Sequence, residues 1–103
     1  MKERMRGVPV GTIDYIAASG TYAELHVGTE RYVIRESMHQ LEERLDPDRC
    51  MRLHRSTIVR LELVEAGLRS EGSDYQVQLK EGTRLRVSRS RRDALERRLG
   101  KVP

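Results

Sequence analysis

The sequence predicts a mainly β domain of short antiparallel strands with two short helices, and three observations predict it. Apolar and polar residues alternate in several short runs, the period of a strand with one face in a core. Turn-forming clusters at Ser19-Gly20, Gly28-Thr29-Glu30 and Glu81-Gly82 separate these runs at hairpin spacing. Helical periodicity is confined to two brief stretches, so strands are joined by turns and not by crossover helices, which argues against a βαβ fold.

Residues 1–7, MKERMRG, lack periodicity and read as an arm or the end of a linker. Val8, Val10, Ile13, Tyr15 and Ile16, interrupted by Pro9 and Gly11, suggest one or two short strands with an irregularity where proline cannot donate to a ladder. From Thr21 to Val27 the alternation is clean, with Ala23, Leu25 and Val27 on one side and Tyr22, Glu24 and His26 on the other. Tyr32 to Arg35 returns as the partner strand. Ser37 to Leu45 is the clearest helix: Met38, Leu41 and Leu45 share a stripe, Ser37 and Gln40 make a capping box, and Asp46-Pro47 ends it. Its acidic outer face, Glu42, Glu43 and Arg44, reads as solvated surface, and the helix is assigned to packing.

Arg49 to Leu61 reads as strand, and the strand pattern continues from Leu61 to Arg69 before the loop Glu71-Gly72-Ser73-Asp74. Tyr75, Val77 and Leu79, then Leu85 and Val87, make a hairpin with one wet face. Ser90 with Asp93 is placed to cap a last helix carrying Leu95 and Leu99, which Gly100 ends.

A chain of 103 residues is one domain. It holds no apolar run long enough to span a bilayer and no signal-peptide pattern, so a cytoplasmic location is expected. The lone cysteine, Cys50, excludes an internal disulfide framework and is assigned to packing. The charge is divided: residues 1–48 carry six Lys or Arg against nine Asp or Glu, whereas residues 49–103 carry fourteen against seven. A basic half of this kind suits a polyanion, most simply nucleic acid.

Two clusters concentrate that charge. RCMRLHRSTIVRL, from Arg49, carries four arginines and no carboxylate among the apolar anchors Met51, Leu53, Ile58, Val59 and Leu61, with Arg52, His54, Arg55 and Ser56 expected to face outward. TRLRVSRSRRDAL, from Thr83, carries Arg84, Arg86, Arg89, Arg91 and Arg92 before its first carboxylate, where a strand becomes a helix. Cations at a helix start oppose the dipole, a local cost that points to a role outside packing. Catalysis has little support: His26, His39 and His54 are scattered, no nucleophile motif or glycine-rich phosphate loop occurs, and Cys50 and His54 lack the further ligands of a metal site. No enzyme activity and no cofactor are expected. RNA binding is disfavoured because the four tyrosines, with no Phe or Trp, do not form a stacking platform beside either cluster. A small β module that binds protein is the alternative from another class.

Three segments, IDYIAASGTYAELHV, IRESMHQLEERLDPDRCMRLHRSTIV and YQVQLKEGTRLRVSRSRRDALERRL, together resemble the LytTR family of DNA-binding domains, output modules of many bacterial response regulators. The likeness runs from Ile13 to Leu99. It implies three packed antiparallel sheets, with loops and not a recognition helix entering successive major grooves, and binding to paired repeats that are bent, with a possible dimer on DNA. It also implies an upstream receiver or sensor domain. Carried over position by position, the resemblance places base reading at Tyr22, Ala23, Arg55 and Arg89, and phosphate contacts at Thr21, Arg52, His54, Ser56, Ser88 and Arg91. Departures occur at Ala17, Thr21 and Thr57, where the family commonly has an acidic residue, Asn and an aromatic, and at Arg60 in place of Asn. Arg60 then reads as an added phosphate contact or as solvated surface.

Overall fold

The first apolar residues of the chain are pinned before any long strand begins. In the computed structural model, which describes residues 4–5, 7–69 and 75–100, β1 (Arg4–Met5) pairs antiparallel with β2 (Val8–Pro9) across a turn in which Gly7 has φ 79°. Met5 is 1% exposed, which corrects the reading of residues 1–7 as an arm, at least at this pair. One apolar residue among charges shows no period, so its burial left no pattern in the sequence. Pro9 stands at the end of the ribbon, where a missing N–H costs little, and a 3-10 turn, Val10–Thr12, leads into the main sheet.

That sheet holds five antiparallel strands: β3 (Tyr15–Ser19), β4 (Tyr22–Val27), β5 (Glu30–Ile34), β6 (Cys50–His54) and β7 (Thr57–Arg60), in the spatial order β5-β4-β3-β7-β6. The period of two sends neighbouring residues to opposite faces. Ile16 and Ile58 enter one core with Met5, Val8, Ile13, Leu25 and the stripe of α1 (Met38–Arg44), namely Met38, Leu41 and the following Leu45. Leu53 and Val59 enter a second core on the far face. Thr57, Ile58 and Val59 are consequently all buried, and the sheet is the middle layer of the molecule.

The third layer is β8 (Val64–Arg69), β9 (Tyr75–Leu79) and β10 (Arg84–Arg86), again antiparallel, with β9 central. Its buried Tyr75, Val77, Leu79 and Leu85 close the second core with Val87 and with Leu95 of α2 (Arg92–Gly100). The expected hairpin is present, and Gly82, at φ 107°, makes its turn. Three sheets and two short helices are therefore observed among the described residues.

Two expectations are corrected. Leu61 to Arg69 is not one strand: Leu61–Leu63 is a 3-10 turn that carries the chain from the middle sheet to the outer one. Its two leucines, both packed on the second core, imitate strand alternation. The last helical stretch begins before the expected Ser90 cap, with a 3-10 turn over Arg89–Arg91 that continues into α2. Ser88 stands at its start without a side-chain cap, because its hydroxyl is engaged with Leu53. The Glu71–Asp74 loop lies outside the described residues. The capping box of α1 is observed as expected, Gln40 N–H donating to Ser37 Oγ and Ser37 N–H to Gln40 Oε1, each at 3.1 Å.

Candidate nucleic-acid interface

Antiparallel pairing gathers three loops at one end of the middle sheet. Because β3 lies between β4 and β7, the β3–β4 turn and the β6–β7 turn leave the sheet on the same side, and Ala18 N–H donates to the Ser56 carbonyl at 2.8 Å. The β10–α2 junction joins them through Ser88 N–H, which donates to the Leu53 carbonyl at 2.8 Å. Two clefts separate the three loops, and Arg55 lines both. One also takes in Thr21, Tyr22, Arg35 and the first turn of α1; the other takes in His54, Arg86, Ser88 and Arg89.

The residues expected to read or hold DNA divide by what their side chains already do. Thr21, Tyr22, Arg55 and Arg89 are exposed. Neither the Arg55 nor the Arg89 guanidinium has a hydrogen-bond or ion-pair partner among the described residues, so both forks are free for an outside acceptor. Ala23 is corrected: it is 0% exposed, with its side chain in the first core and not on the surface. A strand that exposes Tyr22 must bury its neighbour.

Arg52 is also corrected, since it turns inward. Its side chain is 16% exposed, and the guanidinium donates to the carbonyls of His54 and Arg55 and to Glu42 Oε1, the last at 3.1 Å. Glu42 is thus an ion-pair partner and not bare solvated surface. Ser88 spends its hydroxyl on the Leu53 carbonyl, and Arg91 donates to the Arg52 carbonyl at 3.3 Å. Arg60 is neither a free cation nor solvated surface: it bonds the Ile13 carbonyl, Asp14 at 3.0 Å and Glu62.

The surroundings of His54 disfavour its charged form. Ser56 N–H donates to His54 Nδ1 at 3.2 Å, so that nitrogen accepts and the ring proton belongs on Nε2. Burial, and after it the cations Arg86, Arg55 and Arg52, hold its pKa below the ordinary 6.5. The side chain offers one donor to the surface.

Two residues of this surface were absent from the expected set. Arg35 lies with its guanidinium 5.4 Å from the Tyr22 ring centroid, a cation–π contact. The signal existed, since Ile34 pairs with Ala23 and the next position on each strand is Arg35 and Tyr22. Arg86 projects from β10 beside His54, as the basic face of that strand implied.

The profile of the LytTr DNA-binding domain matches residues 3–100 of this sequence. The chain belongs to that family. The LytTr fold is shared with a LytTr DNA-binding domain from Bacillus cereus, superimposing with a TM-score of 0.79 over 97% of this chain and 95% of the other at 22% identity. The CO-responsive transcriptional regulator RcoM of Rhodospirillum rubrum is 36% identical over 70 residues, which is 68% of this chain and 30% of RcoM. The chain therefore spans less than a third of that relative. A LytTr domain is a DNA-binding domain. Among the described residues no group of three or more His, Cys, Asp and Glu could hold a metal ion, and no helix is long and apolar enough to cross a membrane.

Proposed function

We propose that this LytTr domain reads duplex DNA sequence through the three gathered loops, with Arg55 and Arg89 as base-reading residues and the Tyr22 loop as the third contact. The observation that carries the reading is the position of Arg55: it lines both clefts, and its fork is unpaired among the described residues. Guanidinium forks match the paired acceptors of guanine in the major groove. Thr21, Arg35, His54 and Arg86 surround the readers with donors suited to phosphate, while Ser56 Oγ lies 2.9 Å from His54 Nδ1 and is engaged there. The domain serves as the output module of a bacterial transcriptional regulator, joined to a receiver or sensor domain, and pairs of domains occupy repeated sites and bend them.

Selection from a random duplex library tests this. A repeated motif, enriched at a spacing of about one helical turn, is expected. On the selected site Arg55→Ala and Arg89→Ala should each cost about 1–3 kcal/mol, with much less lost on random duplex. Equal losses on both DNAs would make these residues phosphate contacts only. Failure to enrich any motif would remove sequence reading.

A further inference from the structure

The carbonyls of the Arg55 loop are engaged by the protein's own donors before any ligand arrives. Five consecutive carbonyls each accept from a named donor. Arg52 carbonyl accepts from Arg91 Nη1 at 3.3 Å, Leu53 from Ser88 N–H at 2.8 Å, and Ser56 from Ala18 N–H at 2.8 Å. The two at the tip, His54 and Arg55, accept from the same side chain, Arg52, through Nε at 3.3 Å and Nη2 at 2.7 Å. Its remaining Nη1 is anchored by Glu42 of α1 at 3.1 Å. The β6–β7 register also slips between Arg52 and His54, which leaves Leu53 out of the ladder before His54 pairs with Thr57 across the turn.

Resting on the reading of Arg55 as a base contact, we infer that Arg52 and Glu42 are positioning residues that set the loop presenting Arg55, and that Arg52 does not itself hold phosphate. One planar guanidinium meets three acceptors at fixed angles, a task the single ammonium of lysine cannot repeat. Glu42 has a second effect: its carboxylate neutralises Arg52 and removes the reason for that cation to turn outward toward DNA. The charge that reads and the charge that braces sit three residues apart and have opposite orientations, Arg55 exposed and Arg52 inward.

Two variants test this, Arg52→Lys, which keeps the charge, and Glu42→Ala, at a half-exposed helix position. On the selected duplex Arg52→Lys should bind about tenfold more weakly, as expected for loss of one network that holds a recognition group. Glu42→Ala should weaken it in the same direction. Binding to random duplex and the slope of log affinity against log salt should stay at the parental values. A matching loss on both duplexes in Arg52→Lys, or a gain on both with a steeper salt slope in Glu42→Ala, would overturn the inference, because Arg52 would then be a phosphate contact. Unchanged affinity on both duplexes would overturn it as well. Amide hydrogen exchange of the DNA-free protein separates the brace from the DNA reading. Faster exchange at Ser56 in both variants is expected whatever the domain binds, and parental exchange there would remove the brace even if Arg55 proves to be a reader.

Discussion

At Arg55 and His54 two adjacent residues of one turn answer to opposite demands. Arg55 has an exposed fork with no partner among the described residues, whereas burial and then the cations Arg86, Arg55 and Arg52 disfavour charge on His54. The consequence for pH has a definite sign. The folded-state pKa of His54 lies below 6.5, so as pH falls through 6.5 the unfolded chain takes up a proton that the folded chain refuses. Stability should therefore drop from 6.5 downward, until the folded-state pKa is passed. Urea midpoints measured between pH 7 and 5 in the parent and in His54→Gln check this: the variant should lose part of the decline, and identical declines would assign the effect to other groups. Tyr22 is set differently, since one face of its ring is covered by Arg35. Replacing Arg35 with Ala should weaken binding to both specific and random duplex by a similar factor, the mark of a phosphate contact.

Among the elements, α1 and the β8–β9 pair show how much depends on small residues. Ser37→Ala removes the capping box and should cost about 0.5–2 kcal/mol of stability in urea titrations, with the same DNA preference. Gly67 is a stricter case, because a Cβ there would lie 2.2 Å from the Tyr75 hydroxyl. That ring is buried in the second core and carries the Arg92 guanidinium at 5.2 Å, so it has little room to yield. Gly67→Ala should destabilise by about 1–3 kcal/mol, the usual range for overpacking. Much of this scale was legible in the sequence, and the physics says which part. Periods of two and of three to four marked β4, β9 and the stripe of α1, because regular burial repeats along the chain. Met5, the 3-10 turn at Leu61–Leu63 and the early start before α2 were hidden, since each is decided by a partner distant in sequence. The same division runs through the candidate interface: charge density marked the two clusters that hold Arg55 and Arg89, and the resemblance singled those two out, but no local pattern reveals that Arg52, between apolar anchors, turns toward Glu42.

For the molecule as a whole, the middle sheet unites two cores, and its end carries all three candidate reading loops. The longest dimension is 38 Å, of the same order as the ~34–36 Å of one DNA helical turn. Binding should weaken steeply with added salt, as phosphate contacts release counterions, while an apolar protein interface would respond little. Fluorescence anisotropy across a salt series decides between these, and a flat response would favour the protein-binding class.

The five engaged carbonyls of the Arg55 turn bear on how fast the domain finds its site. A turn whose backbone partners are already in place has no ordering step left at that turn after encounter. Stopped-flow mixing with the selected duplex should then give a single phase whose rate rises linearly with DNA concentration, without the plateau that a slow rearrangement imposes. Selectivity would appear in how long the complex lasts, since related complexes differ mostly in dissociation. The turn is organised by the protein's own carbonyls and arginines, and the duplex arrives at a surface already set to receive it.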